Sequence, residues 1–409
     1  MTRLNSCGGG NGQGASSSAG LILGIDATNL RDGGGRTHLL ELLYYANPRD
    51  HGFRKIVVWG ARSTLALLRE RDWLVKRNPH ALEGGLTRRS LWQRFELARQ
   101  ARAEGCHLLF APGGSHASHF HPVVTMSRNM LPFEWSELRR YGFSLTAVRL
   151  SLLRWTQVNA FKTADGVIFM TGYAAREVQR ATGPLRGQIQ IIPHGLNRRF
   201  DHPPKLQRAI GEYTSAEPYR LLYVSIVNQY KHQWQLVKAV ASLRQKTGWP
   251  LVLDLVGPAY RPALSQLKKA MAECDPLSEW VSYHGAVPYT ELHNIYGRAD
   301  LGVFASSCEN MPNILLETMA AGLPLAASNR GPMPEILGDA GEYFDPENPA
   351  NILAALERLI CDPSLRAALA EKSHVAAQRY SWETCADQTF AFLASVHGQW
   401  AERQDSCAA

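Results

Sequence analysis

From residue 21 onward the chain alternates short apolar runs with helical patterns of ten or more residues, the arrangement of parallel sheets joined by crossover helices. Strand-like runs stand at LILGID (21–26), KIVVWG (55–60), HLLFA (107–111), PVVTM (122–126), DGVIFM (165–170) and IQIIP (189–193). Pro203, Pro204 and Pro218 among charged residues mark 201–218 as a linker. A second series then begins, with RLLYVSIV (220–227), LVLDLVG (251–257), WVSYHG (280–285), LGVFAS (301–306) and PLAAS (324–328). Helical patterns fill most of 349–399. A chain of 409 residues can bury two cores, so the expected class is α/β with two doubly wound domains. The expected division is a Gly/Ser-rich disordered tail over 1–20, domains over 21–205 and 206–385, and a helix over 386–409 returning toward the first domain. Such sheets bind ligands beyond the C-terminal ends of their strands, which points to the cleft between the domains.

Charge separates the two halves. Residues 1–200 hold 27 Lys and Arg against 13 Asp and Glu, a balance of +14, whereas the remainder holds 17 against 23, a balance of −6. A basic half suits an anionic substrate, an anionic lipid surface or nucleic acid. No zinc-finger, helix-turn-helix or RNA-recognition pattern is present, so nucleic acid is not expected as a partner. The seven cysteines are scattered without a C-x-x-C pair, and no apolar run reaches the length of a membrane span, so a cytoplasmic location is expected.

The most informative segment is SSCENMPNILLETMAAGLPLAASNRGPMPEILGDAG. Seven residues separate Glu309 from Glu317, and Pro312 stands where a first helical turn would start. This spacing places Glu309 in a loop and Glu317 within a helix, both able to face the cleft. The helix start offers amide donors to a phosphate, and carboxylates accept well from sugar hydroxyls. Acids are also favourable near a helix start without any ligand. Earlier in the chain, Gly33, Gly34 and Gly35 follow the first strand, although His38 breaks the G-x-G-x-x-G pattern of a dinucleotide dehydrogenase.

The acid pair with its flanks resembles the donor-binding region of the family 4 (group 1) retaining glycosyltransferases, which have the GT-B fold of two Rossmann-like domains. The resemblance extends over IDATNLRDGGGRTHLLELL, ADGVIFMT, IIPHGLNRRF, LLYVSIVNQYKHQ and VSYHGAVPYTELHNIYGRAD, and so over most of 21–390. It implies transfer of a sugar from a nucleotide-sugar donor to a saccharide or lipid-linked acceptor with retention of configuration, in surface polysaccharide or lipopolysaccharide synthesis. It puts Glu309 on the donor sugar, Glu317 on the ribose, and the backbone of Asn310, Met311, Pro312 and Asn313 on sugar and diphosphate. Lys231 would sit on the diphosphate with Gly34 and Gly35 close by, making Lys231 and Glu309 the catalytic candidates. No Asp-x-Asp motif occurs, so no obligatory metal is expected and the nucleotide sugar is substrate rather than cofactor.

Two positions depart from the family pattern. Ile226 replaces an arginine five residues before the lysine, and Ser127 takes the place of a histidine, next to Arg128 and Asn129. These last three are the acceptor-side candidates. Alternative readings are a GT-B-like nucleotide-sugar epimerase or phosphorylase, or a non-catalytic scaffold in a polysaccharide-assembly complex. His116, His119 and His121 have zinc-like spacing, but no acid or cysteine lies nearby in sequence and a solvated loop is expected. The segments 86–102 and 138–155 mix arginines with Trp, Phe and Leu, which suits either peripheral contact with an anionic membrane at its inner face or ordinary packing.

Overall fold

The computed structural model describes residues 20–408, so nearly all of the tail expected over 1–20 lies outside the described residues. Seven parallel strands form the first sheet: β1 (Leu21–Ala27), β2 (Phe53–Gly60), β3 (Leu74–Arg77), β4 (Leu108–Ala111), β5 (Val123–Met126), β6 (Gly166–Phe169) and β7 (Gln188–Ile191). Their order is β3-β2-β1-β4-β5-β6-β7. The second sheet comprises β8 (Tyr219–Val224), β9 (Leu251–Val256), β10 (Val281–Tyr283), β11 (Leu301–Phe304), β12 (Leu325–Ser328) and β13 (Glu342–Phe344). It runs β10-β9-β8-β11-β12-β13, so both sheets are doubly wound, with order reversing beside β1 and beside β8. Central strands such as β4, β5, β6 and β11 are buried at every position, as a parallel sheet covered on both faces requires.

The structure adds two strands to those expected, β3 and β13. Both are short edge strands with exposed or half-buried positions, and LVKR and EYF carry no continuous apolar run to signal them. The segment 201–218 is pinned rather than loose. The His202 amide donates to the Ala320 carbonyl at 2.9 Å, and Lys205 Nζ to the Ala299 carbonyl at 3.0 Å. Arg366, fully buried, donates to Gln207 Oε1 at 3.0 Å and the Leu359 carbonyl at 2.9 Å, and also to the Arg208 carbonyl. Neutral acceptors thus surround a buried guanidinium, which makes removal of this side chain costly to both linker and helix end.

The C-terminal helix, Trp382–Ala408, packs Trp382, Phe390, Leu393 and Val396 into the core built on Leu23, Ile25, Phe53 and Phe110 of the first sheet. At its start the chain passes against the segment between β7 and the linker. Leu196 pairs with Ser381, and the Leu196 amide donates to the Tyr380 carbonyl at 3.0 Å. Glycine at 195 permits this approach, because a Cβ there would lie 2.2 Å from the Trp382 nitrogen and 2.4 Å from its Cα. Gly195→Ala is therefore expected to destabilise the protein by about 1–3 kcal/mol, read as a lower thermal midpoint. An unchanged midpoint would show that the two chain passes are not held this tightly.

Candidate active site

Two loops of the second domain carry the central charges. One follows β8 and ends in the turn Gln229–Lys231, and the other joins β11 to the helix Asn313–Ala320. The Ser307 amide donates to the Tyr230 carbonyl at 2.8 Å, and His232 Nε2 meets Ser307 Oγ at 2.9 Å, fastening one loop to the other. Burial holds His232 neutral, with its pKa pulled down to about 4. Lys231 is buried, and its ammonium forms an ion pair with Glu309, above the Tyr230 and Phe304 rings at 5.2 Å. Removing either charge would leave the other desolvated and alone.

Glu317 lies inside the helix Asn313–Ala320 and is almost fully buried. Burial pushes its carboxyl up to about 7, while hydroxyls of Tyr289 at 3.0 Å and Tyr296 at 3.4 Å oppose that shift. Pro312 occupies the N-cap position, one residue before the helix rather than in its first turn. The first-turn amides, among them those of Asn313 and Ile314, have no intrahelical acceptor available. Asn310 Oδ1 and Asn313 Oδ1 are buried without hydrogen-bond partners. The loop therefore offers amides, carboxylates and amide oxygens in one place, a set that can bind a polyhydroxylated anion.

The first domain meets this loop directly. Asn310 Nδ2 donates to Ser127 Oγ at 3.2 Å, and its carbonyl accepts from Thr171 Oγ1 at 3.0 Å. The His194 amide donates to the Met311 sulfur at 3.1 Å. Nearby, the Gly172 and Tyr173 amides donate to the Glu335 carboxylate at 2.6 and 2.7 Å, and Tyr141 OH to Asn228 Oδ1 at 2.9 Å. Cys308 packs into the first domain's core. The cleft is closed along this edge.

Among the acceptor-side candidates, only Ser127 touches the second domain's loop. Arg128 Nη2 donates to the Gly34 carbonyl at 2.8 Å, and burial draws this guanidinium down to about 10. Asn129 Oδ1 accepts from the Leu131 amide at 3.1 Å, a local turn contact. The glycine run itself opens the helix Gly33–Tyr45. Gly33 has φ +64°, and a Cβ at Gly35 would come within 3.0 Å of Leu30. Ile226 is exposed and brings no charge to the site. His194 is buried, with Nδ1 3.0 Å from His38 Nδ1, and burial followed by Arg128 holds both rings neutral.

The expected solvated loop is found at His119 and His121, which are exposed, but not at His116. His116 Nε2 meets the Ala160 carbonyl at 3.1 Å, and burial lowers its pKa. His121 Nδ1 pairs with Asp165 Oδ2 at 2.7 Å, an acid remote in sequence. Among the described residues no group of three His, Cys, Asp or Glu is placed to hold a metal ion. Sequence reasoning missed Tyr289, Tyr296, Thr171 and Glu335, each of which reads as an ordinary surface or helix residue. Tyr296 ends the helix Leu292–Tyr296 while Tyr289 lies in the turn before it, so no helical spacing marked the two as partners.

Comparison with known proteins agrees with this geometry. Residues 210–375 match the family described as "Glycosyl transferases group 1". O-antigen chain mannosyltransferase B of Escherichia coli is 29% identical over 189 residues, 46% of this chain and 49% of the relative. A GDP-mannose-dependent alpha-(1-6)-phosphatidylinositol monomannoside mannosyltransferase of Mycobacterium tuberculosis is 27% identical over 312 residues, 73% of this chain and 72% of the relative. The match thus spans about half the length of the first relative. The solved sucrose-phosphate synthase of Thermosynechococcus elongatus superposes with a TM-score of 0.70 at 17% identity, covering 95% of this chain and 100% of that one. The chain thus shares the two-domain GT-B fold of that solved neighbour, and its residues 210–375 match the group 1 glycosyltransferase family.

Proposed function

We propose that the protein transfers a sugar from a nucleotide-sugar donor to a saccharide or lipid-linked acceptor with retention of configuration, in surface-polysaccharide or lipopolysaccharide synthesis. The observation that carries this reading is the Lys231–Glu309 pair on the loop that leads into the helix Asn313–Ala320, a helix that carries Glu317, with Asn310 of the same loop meeting Ser127 and Thr171 of the other domain. The named mannosyltransferase relatives support a hexose donor and a lipid-linked or O-antigen acceptor.

In this mechanism Glu317 accepts from the ribose hydroxyls and Glu309 from hydroxyls of the donor sugar. Lys231 and the first-turn amides hold the diphosphate. As the bond from the anomeric carbon to phosphate oxygen breaks, charge grows on the diphosphate, and a nearby ammonium stabilises it. The acceptor hydroxyl, entering from the first domain, forms the new bond to that carbon. Its proton passes to the departing phosphate oxygen on the same face, so the anomeric configuration is kept and no protein nucleophile is used.

The basic helices of the first domain support a membrane-bound acceptor. Leu91, Phe95, Phe143, Leu145, Val148 and Trp155 are exposed, and Arg88, Arg94 and Arg149 are exposed in the same segments. No helix among the described residues is long and apolar enough to cross a membrane, so this contact would be peripheral.

Two outcomes follow. With Glu317 titrating at about 7, nucleoside diphosphate affinity should be full above pH 7 and fall about tenfold per pH unit below it, because only the carboxylate accepts from both ribose hydroxyls. Glu317→Gln should bind weakly at every pH. Calorimetric titration across pH 5.5–8.5 checks this, and a pH-independent wild type would remove Glu317 from the ribose site. On the first domain, the protein should pellet with phosphatidylglycerol vesicles, be released by salt, and ignore phosphatidylcholine, since exposed charges are screened over about 10 Å at 0.1 M. Arg88, Arg94 and Arg149 changed together to Gln should weaken pelleting. Equal binding to neutral vesicles would contradict the membrane reading.

A further inference from the structure

Arg31 and Arg89 stand at the C-terminal edge of the first sheet, and neither meets a carboxylate within 4 Å among the described residues. Arg31 follows β1 and directs Nη2 to the Leu82 carbonyl; Arg89, on the helix Leu86–Phe95, donates Nη1 to the Thr28 carbonyl at 3.1 Å. Their Nε atoms are buried without partners, as is the Thr28 hydroxyl beside Asp26. Nearby acids are already engaged. Glu83 accepts from the Arg62 amide and from Asn78, both at 2.7 Å, and Asp26 from the Thr28 amide at 3.1 Å and Gln93 at 2.6 Å.

Two half-buried guanidiniums placed near each other weaken one another. Burial, and after it Arg31, lowers the pKa of Arg89. Such an arrangement gains from an anion that accepts from both forks, because charge-assisted bonds then replace a repulsion and satisfy stranded donors. Glu83 lies within electrostatic reach of Arg31 but forms no ion pair with it, whereas surface arginines elsewhere in this domain, such as Arg49 with Asp72, do pair directly with an acid.

The place of the pair relates it to the transfer site. Ser127, which meets Asn310 of the donor loop, follows β5, and β4 alone separates β5 from β1. Two strand spacings are about 10 Å, the length of one to two sugar rings. We infer that Arg31 and Arg89 form an anion subsite for the acceptor, binding a phosphate or carboxylate that it carries about 10 Å from the hydroxyl being glycosylated. This rests on reading the cleft as a glycosyl-transfer site. A lipid headgroup and a soluble sugar phosphate present the same chemistry, and the neighbouring helix Leu86–Phe95 would accommodate either.

The test uses the full-length protein with its donor site first saturated by GDP or UDP, whichever binds. Titration with mannose 6-phosphate should then show saturable binding at least about tenfold tighter than mannose, the size expected of charge-assisted bonds. Arg31→Gln and Arg89→Gln should each remove that preference while nucleotide affinity stays at the wild-type value, which also reports an intact fold. Arg89→Lys, keeping charge without the fork, should bind at an intermediate level. Competition by phosphatidylinositol vesicles assigns the anion to a lipid headgroup; its absence assigns it to a soluble acceptor. Equal binding of mannose 6-phosphate and mannose, or a preference surviving both Gln variants, overturns the inference. Because nucleotide binding is read first, failure of the glycosyl-transfer reading shows separately as the loss of that earlier signal.

Discussion

A buried ammonium paired with a half-buried carboxylate sets the terms for the rest of the cleft. Lys231 and Glu309 come from loops after β8 and β11, the two strands flanking the reversal of order in the second sheet. Desolvating either alone would be costly, so the loops must approach together, and the Ser307 and Tyr230 backbone bond keeps them there. A diphosphate entering this site takes a share of an ammonium already in position, with little side-chain ordering left to be done on binding.

The same loop is also the seam between domains. Asn310 and Met311, next to Glu309, are the residues that Ser127, Thr171 and His194 of the first domain reach. Under the proposed function, donor binding and domain closure would therefore draw on one set of contacts. The linker, held by Arg366, and the helix Trp382–Ala408, anchored in the first core, restrict how the domains can separate. Gly195 marks where these two passes cross.

Much of the fold was readable because parallel sheets covered on both faces leave long apolar runs, as in LILGID and LVLDLVG. Edge strands β3 and β13 were not, since their exposed and half-buried positions carry Lys76, Arg77 and Glu342. Within the site, Glu309, Glu317 and Lys231 were singled out by spacing and family resemblance, and the structure brings Lys231 to Glu309 across 78 positions. What escaped was whatever depends on the second domain: Thr171 and Glu335 acquire meaning only from partners 139 and 163 positions away. The burial of His194 was equally invisible, because nothing local to PHG announces His38 or Trp382 packed around it. The pairless state of Arg31 and Arg89 likewise emerges only once the neighbouring acids are seen to be occupied.

The charge asymmetry has a matching spatial logic under the proposed function: the acids assigned to the donor sit in the second domain, and the arginine excess lies in the first, where the acceptor would arrive. The central claim is that the Lys231 and Glu309 pair forms part of a nucleoside diphosphate site. Its most direct measurement is equilibrium titration of wild type and Lys231→Ala with GDP and UDP. Saturable binding of one nucleotide by wild type, weakened at least about tenfold in the variant, is the predicted result. No binding of either nucleotide by wild type, or equal affinity in both proteins, would contradict it.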